Sequence, residues 1–393
     1  MTTTYVSTPQ LLQTPYVTRV VSSLLVPQSR IQKEFGILSD PVTGAPGPNI
    51  RPIEGQTVKV DLFDATKTVG TARAADQGPQ AIAPQIIGQF PATLIRLHEK
   101  IPMTDNKLTR VRTLGGQYGE LDNRGKSFLM RQQQYMAQRV RNLREFVMGM
   151  MLRGGKLYYK QVGDTMQPTA TSTGSIITVD FKLPTGQTIA IGGAMANNLT
   201  LGTYADIIAA ANPWDNAATS IIQDLLEIDA GSEQVSGMPF RHYWCNSATW
   251  GKIITNTEVR NTGGSVVAPF GQYDKWIDNA GQRPGFVATL KGHPHIVWHV
   301  INETLTDPGT GSAVEMMPSG YIAAHPDINS SWFEFVEGSE IVRENKMDMG
   351  SMRTGIAAWV EPTTQPAGQE LITLDNFLPI LNVPGALAFF RVY

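Results

Sequence analysis

The chain has 393 residues, enough for two or three domains, with 41% hydrophobic and only 17% charged residues against the roughly 25% usual in soluble domains. A formal net charge of −2 excludes a global attraction to nucleic acid, and a single cysteine, Cys245, excludes an intrachain disulfide and a cysteine-rich metal site. No apolar run approaches the ~18 residues of a membrane span, and Met1-Thr-Thr-Thr-Tyr-Val lacks the basic and apolar regions of a signal peptide.

Low charge together with 37 Gly and 25 Pro suits a chain that buries much of its surface against partners. Residues 1–55 carry no sustained period, and Asp40-Pro-Val-Thr-Gly-Ala-Pro-Gly-Pro-Asn49 is turn chemistry throughout. Residues 57–63 alternate apolar and polar and predict a strand, with 93–99 as its return partner. The thirty or so mostly small or polar residues between them are too many for a tight turn, which predicts an outstretched two-stranded arm. Such an arm is marginal alone and needs another surface to lie on.

A long helix is expected from about Gln117 to Arg153. Its apolar stripe runs through Leu129, Met136, Val140, Leu143, Val147 and Met150 at helical spacing, and Gly154-Gly155 supplies the stop. At about 1.5 Å per residue it would span roughly 50 Å, longer than a small domain is wide. The same helix carries Arg124, Arg131, Arg139, Arg141 and Arg144. These are candidates for phosphate contact or for an inter-subunit surface, with a solvated helix face as the plainer alternative.

Beyond it the pattern predicts a strand at 175–181, helices at 203–211 and 216–228 with Asp215-Asn216 as cap, and a buried strand at 240–245 containing Cys245 as a small core residue. A short helix follows near 247–254, then strands at 286–290, 295–301, 321–324, 354–360 and 385–393. The aromatics of Phe240-Arg-His-Tyr-Trp244 and Trp332-Phe-Glu-Phe335 sit in buried-strand patterns and read as core.

Phosphate-binding, nucleophile-elbow and zinc-protease motifs are all missing from the sequence. The tightest polar cluster is His293, His295 and His299, whose alternation could ligate a divalent metal; a metal-dependent hydrolase built on it is the enzymatic alternative. Ordinary strand histidines are the simpler account, and no catalytic residue, cofactor or metal is expected.

The order of elements resembles the major capsid protein of tailed bacteriophages, in the lambda-type capsid protein family. The resemblance is carried by Thr93-Leu-Ile-Arg-Leu-His-Glu-Lys-Ile-Pro-Met103 running into the arginine-rich helix, which ends in Leu152-Arg-Gly-Gly155. Ile177-Thr-Val-Asp-Phe181, Trp214-Asp215, Met317-Pro-Ser-Gly-Tyr-Ile-Ala323 and Leu378-Pro-Ile-Leu-Asn-Val-Pro-Gly-Ala386 follow in the family's order. It implies an α+β fold with an N-terminal arm (1–55), an extended loop (56–103), a peripheral domain with a spine helix (104–202), an axial domain (203–344) and a return to the peripheral domain (345–393). It further implies a non-enzymatic shell protein, assembled in the host cytoplasm into the hexamers and pentamers of a virion head around double-stranded DNA. Partners would be copies of the chain, a separate scaffolding protein, a portal and a decoration protein, with no membrane. An encapsulin-like nanocompartment is the alternative within the same fold.

Overall fold

A computed structural model describes residues 30–38, 47–63, 86–104, 123–163, 165–181, 188–191, 197–200, 213–262, 274–276, 285–290, 293–342, 351–364 and 367–393. In chain order, a single-turn helix α1 (Arg30–Glu34) precedes β1 (Ile50–Ile53), β2 (Thr57–Phe63), β3 (Ile86–Thr93) and β4 (Ile95–Thr104). The long helix α2 (Asn123–Leu152) leads to β5 (Lys156–Val162), β6 (Thr165–Thr169), β7 (Ile177–Asp180), β8 (Thr188–Ile191) and β9 (Asn197–Thr200). Then come α3 (Ile221–Ser236), β10 (His242–Cys245), α4 (Ser247–Thr255), α5 (Thr257–Thr262), β11 (Asp274–Trp276), β12 (Gly285–Leu290) and β13 (His293–Val300). The chain closes with β14 (Thr304–Thr306), β15 (Ala313–Glu315), β16 (Tyr321–His325), β17 (Phe333–Val342), β18 (Ser351–Thr354), β19 (Ala357–Thr364), β20 (Ala367–Leu381) and β21 (Ala388–Arg391).

Two compact units emerge. The first comprises Met1–Val58, Pro91–Glu145 and Phe335–Pro379; the second comprises Lys59–Phe90, Phe146–Glu334 and Ile380–Tyr393. In the first, β20 is central. It pairs antiparallel with β4, from Gly368 against Thr104 to Phe377 against Ile95, and with β19, while β1 runs parallel to β17. One side of β20 packs Leu371 with Met103, Ala358 and the helix residues Met136 and Ala137; Ile372 and Leu374 pack with Ala357 and Trp359 on the other. A strand buried on both faces reads as a near-continuous apolar run, as 371–381 does apart from Thr373, Asp375 and Asn376.

This pairing corrects the expected arm. The return partner of β2 is β3, not 93–99. Most of 93–99 belongs to β4, because beside β20 its strand gains a packed face that a two-stranded ribbon cannot offer. Val58, Val60 and Leu62 of β2 alternate as buried positions, as its period predicts. The loop at 64–85, the helix start at 117–122 and the helix expected at 203–211 lie outside the described residues.

In the second unit a six-stranded sheet has the order β11-β12-β13-β10-β16-β21, with β10 parallel to β13 and antiparallel to β16. Ile221, Leu225 and Ile228 of α3 and Trp250 and Ile253 of α4 share its core with Tyr243, Cys245, Trp298 and Phe390. Placing β21 against β16 corrects the expected return of all of 345–393 to one peripheral domain: the last strand completes this second sheet, where Phe390 reaches its core. Helix α3 also starts later than the sequence suggested. Asn216 Oδ1 accepts the Ala218 N–H and makes a turn, and the first-turn acceptor is Glu258, which takes the Ile222 N–H and the Ser220 hydroxyl, each at 2.9 Å. Asn246 caps α4 by accepting the Thr249 N–H at 2.8 Å.

Candidate functional site

Helix α2 spans about 45 Å over its 30 residues. Met136, Val140, Leu143, Val147 and Met150 of the expected stripe are buried; the side chain of Leu129 lies outside the described residues. From Arg141 onward the helix is almost wholly buried, whereas Arg131, Gln134, Tyr135, Gln138 and Arg139 form an exposed stripe at helical spacing. The exposed stripe carries no carboxylate of its own.

The arginines therefore divide. Arg131 and Arg139 are exposed, and Arg139 forms a bidentate pair with Glu99 of β4 while its guanidinium lies 5.7 Å from the Tyr135 ring centre. Burial opposes the charge of Arg139 less than the hydrogen bond to Glu99 favours it, so its pKa is raised. These two side chains, with Lys100, Ile101 and Met136, line an open cleft of about 300 Å³ between β4 and α2. The side chain of Arg124 lies outside the described residues.

Arg141 and Arg144 correct the expectation of a phosphate-facing row, because both are at most 2% exposed. Arg144 forks onto Asp375 of β20 at 2.7 and 2.6 Å and reaches Glu337 of β17 at 2.8 Å. Its guanidinium carbon lies 5.1 and 5.3 Å from the ring centres of Phe335 and Phe377. Burial alone would lower its pKa; the charges of Asp375 and Glu337 outweigh that and raise it, which holds the group ionised. Burial and the neighbouring Arg144 charge lower Arg141 to about 10, still protonated at neutral pH. The sequence signal was available: Arg144 follows Val140 by four residues and precedes Val147 by three, so it stands on the apolar stripe, and Asp375 interrupts an apolar run.

The histidines serve the second unit's sheet. His295 Nε2 meets Asp229 at 3.2 Å at the surface, while His299 is buried with its Nε2 2.9 Å from His242 Nδ1. The structure thus gives His295 and His299 different partners instead of converging them as the expected cluster; the side chain of His293 lies outside the described residues. The His242 and His299 ring centres are 5.2 Å apart, close to the N···N contact plus two ring radii, so the rings meet edge-on through an N–H···N bond. His242 Nε2 continues to Asp327 at 3.1 Å. Against this pair lies a second one. Trp244 Nε1–H donates to His325 Nε2 at 2.8 Å, Trp244 stacks on His299 with ring centres 4.2 Å apart, and His325 stacks on His242 at 5.0 Å.

His325 Nδ1–H donates to the Pro326 carbonyl at 2.7 Å, which fixes the neutral tautomer. A proton on Nε2 would point at the Trp244 N–H. Burial, reinforced by His242, lowers the His325 pKa to about 3 from an ordinary 6.5. The folded protein thus resists a proton that the unfolded chain accepts. Stability from this group is complete above pH 6.5 and is lost as pH falls towards 3, by up to about 4 kcal/mol. Urea midpoints at pH 7, 5 and 4 should fall accordingly, and His325→Gln should flatten that acid limb.

No protein-family model matches the sequence, and no curated protein matches it. Solved structures do resemble the fold. A protein assigned as the capsid protein of a prophage of E. coli CFT073 aligns over 97% of this chain and 99% of its own, with a TM-score of 0.54 and 11% identity. A phage-related protein from Bordetella bronchiseptica RB50 covers 97% and 98% at a TM-score of 0.48 and 9% identity, and the capsid of cyanophage P-SCSP1u covers 87% and 85% at 0.43 and 10%. The fold is α+β and resembles that of the prophage capsid protein over nearly the whole chain.

Proposed function

We propose that the chain is the major capsid protein of a tailed-phage head, assembling with its own copies into hexamers and pentamers around double-stranded DNA. The carrying observation is the end-to-end fold match to the prophage capsid protein, 97% of one chain on 99% of the other. A shell subunit also accounts for the ribbon of β2 and β3, a sheet of two strands only. In this reading the second unit's six-stranded sheet belongs to the axial domain, which meets its copies at the symmetry axes, and the first unit belongs to the peripheral domain. Contacts that close into rings and then into a shell need a heterologous interface of suitable geometry.

The exposed stripe of α2 is the phosphate-facing candidate that remains, with Arg131 and Arg139 as its described cations. Contact there would be non-specific and salt-dependent. Scaffolding, portal and decoration proteins would be the other partners, the site of action the virion, and the role structural.

Size-exclusion chromatography and electron microscopy of the expressed chain test the reading. Shells tens of nanometres across, holding nuclease-protected nucleic acid in native particles, are expected. A monodisperse 43.0 kDa monomer under all assembly conditions would overturn it, and native shells filled with protein cargo would favour the nanocompartment.

A further inference from the structure

The exposed stripe of α2 has no carboxylate of its own, but β4 brings one to it. Glu99 accepts from both Nε–H and Nη2–H of Arg139, and the remaining Nη1 lies 3.4 Å from the Tyr135 hydroxyl. The fork that would meet a phosphate is therefore already filled by a carboxylate. Lys100, another cation lining the cleft, is matched in the same way by Glu370 of β20 at 3.1 Å. Arg131 differs. It is exposed, lies about 12 Å along the helix from Arg139, and has no carboxylate partner among the described residues.

An exposed ion pair contributes little stability, yet it still cancels charge. Glu99 and Arg139 are in contact, far closer than the roughly 10 Å over which salt screens a charge. A phosphate approaching the stripe thus meets a balanced pair at Arg139 and a net cation at Arg131. The attraction of a protein for a duplex comes from the counterions that its cations release when they neutralise phosphates. A cation already balanced by a carboxylate neutralises none. Were Arg139 to turn to a phosphate, Glu99 would be left beside that phosphate as a like charge.

We propose that Glu99 limits the hold of α2 on DNA: it balances Arg139, so that Arg131 is the net cation that the described stripe offers to phosphate. The inference rests on the reading of this stripe as the phosphate-facing surface and adds the residue that sets its strength. A duplex held through so few net charges per subunit is held loosely and stays free to slide along the lining.

Binding of a short mixed-sequence duplex to the full-length chain tests it. The chain is kept unassembled and binding is followed by fluorescence anisotropy between about 50 and 200 mM salt. Glu99→Gln should bind more tightly and steepen the slope of log K against log salt by about 0.9 per bound chain. Its advantage over the wild type should therefore shrink about 3-fold across that range. Glu99→Ala should behave in the same way. The double variant Glu99→Gln with Arg139→Gln should return to the wild-type slope, because the released cation is gone. Glu233→Gln, which makes the same change of net charge at an exposed position on α3, should leave the slope unaltered. Wild-type slopes in both Glu99 variants would overturn the proposal. So would a double variant that keeps the steep slope, or a Glu233→Gln chain that matches Glu99→Gln. Failure of every chain to bind the duplex at low salt would instead overturn the reading of α2 as the DNA-facing surface, and the proposal with it.

Discussion

Replacing Arg144 with alanine is expected to destabilise the protein by about 3–5 kcal/mol, the usual cost of removing one partner from a buried ion pair. Asp375 is fully buried and takes both oxygens' hydrogen bonds from this guanidinium, so truncation leaves an anion without its donor in the centre of β20. The space between Phe335 and Phe377 would be emptied as well. Arg139→Ala is the internal contrast. Its side chain is 48% exposed and its pair with Glu99 is screened, so its loss should cost less than about 1 kcal/mol. Urea midpoints of the two variants check the difference. The double replacement Arg144→Met with Asp375→Leu should recover part of the loss, since the fully buried Asp375 charge goes with its partner and only Glu337, at the edge of the site, loses its cation. An Arg144→Ala protein as stable as Arg139→Ala would refute the account of the core.

Deleting residues 66–83, which leaves four residues between β2 and β3, is expected to leave a folded subunit that forms no stable shells. Both six-stranded sheets are built from other parts of the chain, so circular dichroism and the urea midpoint should change little. The deletion would reduce the connection between β2 and β3 to a short turn. On the proposed function that connection extends the arm over a neighbouring subunit, and its contacts exist only in the assembly. Electron microscopy decides: normal shells from the deleted chain would remove the role given to this loop.

How much of this was legible follows the range of the interactions involved. The helical stripe through Met136, Val140, Leu143 and Val147 needed only a period, and all four are buried as it predicts. The alternation of 57–63 and the aromatic strands 240–245 and 332–335 were equally local, and Phe240, Tyr243, Trp244, Trp332, Phe333 and Phe335 are all fully buried. Partners far apart in sequence were not legible. The sequence predicts that β4 completes a hairpin with β2, whereas it pairs with a strand some 270 residues later. The sequence offers Asp215-Asn216 as the acceptor for the first turn of α3, but the acceptor is Glu258 on another helix.

The candidate site shows the same division. A charge on a helix is most often solvated, which by sequence alone puts Arg141 and Arg144 with Arg131 and Arg139. Their neighbours on the stripe argued otherwise, but only Asp375 and Glu337, brought in by β20 and β17, make burial of Arg144 affordable. By itself the sequence determined which segments are helix or strand and which faces are apolar, because those depend on residues three or four apart, or two apart. The tertiary structure decided which strands are neighbours, which arginines face outward and which carboxylate accepts the first N–H groups of α1. Each of those depends on whether a charge or an N–H group finds a partner from a distant part of the chain.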